Sequence, residues 1–186
     1  MLATAADDVT SFTPLDPLVY RPVIVRALEE DLGLAGDVTS AAIVPLGQRT
    51  EARLVAREAG RIAGLAIAID VFRHLDSESA VKIAREEGTD VDAGATVAVV
   101  DGSTRSILTG ERTALNIITR LSGIATATRD AVEVIRPHPT RVACTRKTTP
   151  GLRALEKYAV RVGGGVNHRF GLFDGVLIKD NHIVAA

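Results

Sequence analysis

Residues 141–182 read RVACTRKTTPGLRALEKYAVRVGGGVNHRFGLFDGVLIKDNH, and the fold turns on them. Residues 141–145 are a short strand-like run. Leu152, Leu155, Ala159 and Val162 then recur at helical spacing. Gly163, Gly164 and Gly165 stop that helix, and residues 176–178 form a second short apolar run between turn signals. Strand, helix and strand within about 40 residues make a parallel unit, because parallel strands need a long crossover that a helix supplies. The segment predicts the opening of an α/β barrel or open sheet.

Just upstream, Pro137 and Pro139 end a long helical pattern and mark a domain boundary, dividing the chain into residues 1–136 and 137–186. The long helix is read from a cap at Thr109 to Ile135. Glu111 then lies in its first turn, where the helix dipole favours an anion. Leu115, Ile118, Leu121 and Ala125 form its apolar stripe. Residues 95–100 and 105–108 flank Asp101-Gly102, which predicts a hairpin turning there. Residues 51–57 place Ala52, Leu54 and Ala56 on one side of a strand, and residues 80–86 read as another. Helices are expected over 64–75 and 17–32, the second ending near Gly33. Its regular part is expected to begin at Pro22, since proline disrupts a helix interior. The first dozen residues read as a frayed tail.

Composition narrows the function. An apolar fraction of 46% against 24% charged residues is the balance of a globular protein that buries a core. Aromatics are only 3%, with no tryptophan, so Ala, Val, Leu and Ile must build that core. A net charge of −1 gives no global attraction to nucleic acid or to an anionic membrane, and the basic cluster lacks the interleaved aromatics of a nucleic-acid binder. No apolar run approaches the ~18 residues of a membrane span. The acidic N-terminus lacks a secretory pattern and the single cysteine excludes an internal disulfide framework, so a cytoplasmic protein is expected.

Between residues 141 and 182 the cations are Arg141, Arg146, Lys147, Arg153, Lys157, Arg161, Arg169 and Lys179, and the anions are Glu156, Asp174 and Asp180. The balance is 8 − 3 = +5, in a chain whose total is −1. Arg146 and Lys147 follow the first strand and Lys179 ends the second, where ligands sit in parallel α/β folds. His168 and Arg169 follow the glycine triplet, which allows close ligand approach. Cations converging in this way repel one another unless an anion joins them. A dicarboxylate or polyphosphate fits: arginine suits a planar carboxylate, lysine a phosphate. The alternative is a solvated basic surface, and Arg153, Lys157 and Arg161, on the helix, are assigned to it. Cys144 reads as a small buried filler. His74 and His138 read as surface or helix-end residues. His182 either orients Lys179 or Asp180 or simply packs.

The motifs TRKTTPGLR, KYAV, GGGVNHR and LIKDNH, in this order and spacing, resemble the quinolinate phosphoribosyltransferases, and EEDLGLAGDVTS and GERTALNIITRLSGIAT resemble the same family. The resemblance covers the chain from about residue 18 onward. It implies an α+β N-terminal domain followed by the first part of an incomplete α/β, TIM-like, barrel. It also implies a reaction: quinolinate and phosphoribosyl pyrophosphate give nicotinate mononucleotide, carbon dioxide and pyrophosphate, with Mg2+, in NAD synthesis. By position, Thr145, Arg146, Lys147, His168, Arg169 and Lys179 match substrate-binding residues, with Lys147 and Lys179 in the catalytic role. Arg112 matches an arginine that reaches the partner's active site in a homodimer.

Two strand candidates after residue 140 fall short of a closed barrel, which needs roughly eight. The resemblance implies further strands, acidic residues for ribose and metal, and glycine-rich phosphate loops. The sequence is therefore expected to be the first part of a longer enzyme, inactive or nearly so by itself, with magnesium arriving on the diphosphate. A molybdenum-associated family shares the fold, but the NHR and TRKT segments argue against it. A non-catalytic anion-binding remnant is the alternative from another class. The string VVDGST also resembles the ribose-binding motif of a different class of phosphoribosyltransferases. Here it lacks the second acidic residue and the following Thr-Gly, and the hairpin reading is preferred.

Overall fold

A computed structural model describes residues 12–185, so most of the expected frayed tail lies outside the described residues. Helix α1, Pro17–Leu32, begins where Asp16 accepts from the Leu18 amide at 2.9 Å and Pro17 supplies a preset φ at the first position. It ends at Gly33, whose positive φ of 50° suits glycine. Pro22 lies inside this helix rather than starting it. The carbonyl it leaves without a helical donor belongs to Leu18, whose side chain is 79% exposed, so water can reach that end of the helix. Helix α2, Val38–Ile43, is capped by Asp37, which accepts from the Ser40 amide at 2.9 Å.

Strands β1 (Arg49–Val55), β3 (Ala80–Ile83) and β5 (Thr96–Ser103) form an antiparallel sheet in the order β1-β5-β3. The expected hairpin at Asp101-Gly102 is not there. β5 runs straight through the pair, with Glu51 and Ala80 opposite Asp101. Two local facts explain this. Asp101 is exposed and takes an ion pair from Arg49 at 2.8 Å, which suits mid-strand. Gly102 is needed for space, because a Cβ there would lie 2.6 Å from Ser79 Oγ and 3.2 Å from Asp76 Oδ2. A smaller sheet pairs β2 (Gly60–Arg61) with β4 (Asp90–Val91). Helix α3, Leu65–Leu75, lies between β2 and β3 in sequence. Its first amides are held by the Glu87 carboxylate, which accepts from Gly64 and Leu65. Burial pushes that carboxyl up, against the pull of those hydrogen bonds.

Helix α4 spans Thr104–Ile135. Ser103 caps it, not Thr109, and Glu111 is therefore not in its first turn. Thr109 lies inside and donates to Asp37 Oδ2 at 3.0 Å, tying α4 to α2. Ile118, Leu121 and Ala125 of the expected stripe are buried, while Leu115 lies only partly covered. One continuous core joins α1 (Tyr20, Ile24, Leu28), α3, β5, α4 and α5 (Arg153–Val162), which contributes Leu155, Tyr158, Ala159 and Val162. The approach of α5 to α4 requires Gly163, where a Cβ would sit 2.5 Å from the Ala125 carbonyl oxygen. Among the described residues no helix is long and apolar enough to cross a membrane.

The parallel crossover around α5 is present, but its second partner differs from the expected one. Ala143 pairs in parallel with Val166, through Cys144 N to Val166 O at 3.0 Å and Val166 N to Val142 O at 2.8 Å. Residues 176–178 are not a strand; Val176, Leu177 and Ile178 are 94, 41 and 69% exposed. Apolar character alone cannot make a strand without a neighbour to pair with, and none lies beside them among the described residues. A short helix α6, Asp180–Ala185, follows. The architecture is an α+β unit leading into the beginning of an incomplete barrel.

Candidate active site

The parallel bridge between Ala143 and Val166 brings together the two loops that carry the cations, residues 145–149 and 167–169. In the first, Thr145 Oγ1 accepts from the Lys147 amide at 3.0 Å, a hydroxyl-closed turn that leaves the Lys147 side chain exposed. Arg146 is half-buried, and its Nε is buried without a hydrogen-bond partner. In the second loop His168 is exposed and Arg169 half-buried. Arg169 donates through one terminal nitrogen to the Gly175 carbonyl at 2.7 Å, while its Nε is also buried and unpartnered.

Asp174 closes the turn behind Arg169. Its carboxylate accepts from the amides of Phe170 at 2.6 Å and Gly171 at 2.8 Å, and those bonds hold it below the usual carboxylate range. Lys179 is exposed, and its amide donates to His182 Nδ1 at 2.9 Å. His182 thus holds the backbone at the start of α6, the orienting alternative in a backbone form.

Helix α5 ties these loops down, and here the structure overturns the assignment of its cations to a solvated face. Lys157 is only 3% exposed; its Nζ donates to the His168 carbonyl at 2.9 Å and lies 3.0 Å from Cys144 Sγ. Arg153 is half-buried and bridges the two loops, from Nε to Thr148 Oγ1 at 3.1 Å and from a terminal nitrogen to the Phe170 carbonyl at 3.2 Å. Arg161 lies over the Tyr158 ring at 5.6 Å, with its Nε buried and unpartnered. The long aliphatic stems of lysine and arginine let a cation cross a buried surface, which a charge count along a helix does not show.

Cys144 is partly covered and donates to Asn167 Oδ1 at 3.2 Å, more than a simple filler. Sequence reasoning also missed Glu156, 7% exposed, which accepts from Arg120 Nε at 2.8 Å and from the Thr149 amide at 3.1 Å. Burial alone would push its carboxyl up, but the bonds from Arg120 and Thr149 outweigh burial and hold it low. The only signal was a glutamate between the apolar Leu155 and Tyr158.

Arg112 is exposed on α4, in a groove of about 570 Å3 with Arg57, Asn116, Thr119 and Asp130. Among the described residues none beyond Asp130 lines that groove, so Arg112 and the two cationic loops do not share it.

Arg146 and Arg169, in the two loops, and Arg161, on α5, each keep a buried Nε without a hydrogen-bond partner, and a guanidinium edge of this kind suits a planar carboxylate. Comparison with known proteins identifies the family. A family model described as quinolinate phosphoribosyl transferase, N-terminal domain, matches residues 37–122, and its C-terminal counterpart matches residues 124–186. These matches meet inside α4. Probable nicotinate-nucleotide pyrophosphorylases (carboxylating) from Synechocystis and Bacillus subtilis are each 49% identical, over 91% and 92% of this chain and 57% and 58% of their own length. The crystal structure of NadC from Streptococcus pyogenes superposes with a TM-score of 0.90 at 43% identity, covering 94% of this chain and 61% of that one. The chain thus spans under two thirds of the relatives it matches. On matched domains, sequence identity and superposed fold together, the chain belongs to the quinolinate phosphoribosyl transferase family.

Proposed function

We propose that this chain carries the substrate-binding loops of an enzyme that joins quinolinate to phosphoribosyl pyrophosphate. The products would be nicotinate mononucleotide, carbon dioxide and pyrophosphate, in de novo NAD biosynthesis. The observation that carries the reading is that Arg146 and Arg169, two of the three arginines among the described residues with a buried, unpartnered Nε, stand in the loops that the Ala143–Val166 bridge brings together. An orphaned buried donor costs about 1–3 kcal/mol, and a carboxylate can satisfy it together with a terminal nitrogen of the same fork. Quinolinate offers two carboxylates on adjacent ring carbons.

In this proposal Thr145, Arg146, His168 and Arg169 hold the pyridine dicarboxylate. The ring nitrogen attacks the anomeric carbon as pyrophosphate leaves, through an oxocarbenium-like transition state. Lys147 and Lys179, exposed and compact in charge, stabilise the departing diphosphate. The electron pair left on the ring carbon as its carboxylate departs as carbon dioxide is stabilised by the adjacent cationic nitrogen, and that carbon takes up a proton from solvent to complete nicotinate mononucleotide. The protein positions the reactants, and no side chain has to act as a nucleophile.

Magnesium would accompany the diphosphate. The loops described here offer cations rather than anionic donors, and no cluster of three or more His, Cys, Asp or Glu suited to a metal occurs among the described residues. No step is assigned to the metal. A homodimer, with Arg112 lent to the partner's site, belongs to the same proposal, supported by its exposure and by its place away from its own chain's loops. So does a cytoplasmic setting, which rests on composition. The test is carbon dioxide release from carboxyl-labelled quinolinate by the complete chain. Release that requires phosphoribosyl pyrophosphate supports the reading; binding of quinolinate with no turnover would leave an anion-binding protein instead.

A further inference from the structure

Two adjacent charged residues on α5 are buried. Glu156 is 7% and Lys157 3% exposed, among the apolar Leu155, Tyr158, Ala159 and Val162. Burying charge costs several kcal/mol, and apolar residues of similar size often serve a fold as well or better. Neighbours in a helix point about 100° apart, so the two side chains leave α5 in different directions. They do not pair with each other. Each goes to a different loop of the site.

Glu156 takes the 145–149 loop: its carboxylate accepts from the Thr149 amide at 3.1 Å, while Arg120 of α4 holds the other oxygen and reaches Thr149 Oγ1. Lys157 takes the 167–169 loop through the His168 carbonyl at 2.9 Å. It also lies 3.0 Å from Cys144 Sγ, whose thiol meets Asn167 Oδ1 at 3.2 Å. Arg146 stands three residues before Thr149, and Arg169 directly follows His168.

We propose that Glu156 and Lys157 are positioning residues, Glu156 holding the Arg146 loop and Lys157 the Arg169 loop, so that one helix sets both arginine forks against a dicarboxylate. This rests on the dicarboxylate reading of the site given above. Neither residue touches substrate; each acts through its own arginine. That division separates the idea from a general structural role.

The experiment is a set of double-mutant cycles in the complete chain, read as the quinolinate dissociation constant by calorimetry. Lys157→Met removes the charged hydrogen bonds to the His168 carbonyl and Cys144 Sγ and is expected to raise that constant about tenfold. On an Arg169→Ala background it should add less than about twofold, whereas on Arg146→Ala it should keep its full effect. Glu156→Gln should show the reverse pairing. Should Lys157→Met fail to fold, Lys157→Gln, whose shorter neutral side chain weakens the bond to the His168 carbonyl while keeping a polar group in the buried position, carries the same comparison with a smaller loss. Amide exchange gives a second readout without ligand: Lys157→Met should speed exchange at 166–170 and not at 145–149, and Glu156→Gln the opposite. Equal losses on both backgrounds, or exchange unchanged in both loops, overturn the proposal. A wild-type chain that does not bind quinolinate at all would instead sink the dicarboxylate reading, and exchange alone would then judge the two residues.

Discussion

Arg169 has one terminal nitrogen taken by the Gly175 carbonyl and a buried Nε without a hydrogen-bond partner. If a substrate carboxylate closes that fork, Arg169→Ala in the complete chain should weaken quinolinate binding by ~1.5–3 kcal/mol, roughly 10- to 150-fold. Arg153→Ala is a sharper comparison. Read as part of a solvated face, it would change nothing. In the structure it links Thr148 Oγ1 to the Phe170 carbonyl and lies 5.9 Å from the Phe170 ring, so its loss should cost about 0.5–1.5 kcal/mol, roughly 2- to 12-fold in affinity. Calorimetric titration of both variants checks this, and an unchanged constant for Arg153→Ala would restore the surface reading. At this scale the sequence was legible where a cation sits beside a break in regular structure, as Arg146, Lys147 and Arg169 do. It misled for Lys157 and Arg153 because helical periodicity places a Cα on a face but does not say how far a long side chain reaches. Glu156 was invisible, since its partners Arg120 and Thr149 are distant in sequence.

Glycine 163 joins two elements. Its φ of −73° is open to any residue, so the requirement is space alone: a Cβ would lie 2.5 Å from the Ala125 backbone oxygen and 2.6 Å from Thr128 Cβ. Backbone cannot yield as a flexible side chain can, so Gly163→Ala should push α5 off α4 at a cost of about 1–3 kcal/mol. A fall in the urea midpoint checks that cost, and an unchanged midpoint would mean that the helices separate freely. Asp90 joins the small sheet to α4. A hydrogen bond from Arg61 holds its carboxyl low, with burial opposing and Arg129 adding to the effect. A depressed folded pKa gives stability that is present above the unfolded value and lost as pH falls through the folded one. Asp90 is 48% exposed, so screening keeps the contribution below about 1 kcal/mol. Asp90→Asn should therefore destabilise slightly at neutral pH, and the gap to wild type should narrow as pH falls below the ordinary carboxylate range. A gap independent of pH would assign the loss to shape. Helices were legible as elements because their period shows: α1, α3, α4 and α5 all stand near their expected places. The errors were local. Asp101-Gly102 has the composition of a turn, yet the close approach of Ser79 and Asp76 makes it mid-strand. Residues 176–178 have the composition of a strand, yet lack a partner among the described residues.

At the scale of the whole molecule the site is shared among parts that the sequence keeps far apart. Helix α4 runs from the sheet to the cationic loops, with Arg112 on one stretch and Arg120, the partner of Glu156, two turns on. Leu172, Phe173, Val176, Ile178, Ile183 and Val184 stand exposed beyond the loops. Arg112 tests assembly and site together. It lies outside the bracket that α5 builds, and a surface role would be its default. If it serves the partner across a two-fold interface, each subunit's lesion in Arg112 harms the other subunit's site. Complete chains carrying Arg112→Ala can be unfolded and reassembled with chains carrying Lys147→Ala. In a mixed dimer one site then has both lesions, while the other has its own lysine and a borrowed intact arginine. With random pairing about half the dimers are mixed, and one of their two sites works, so activity should recover to about a quarter of wild type. An arginine acting within its own chain leaves one lesion in every site, and mixing restores nothing. Mixed dimers shown to be present, with no recovery of activity, would therefore place Arg112 outside any shared site.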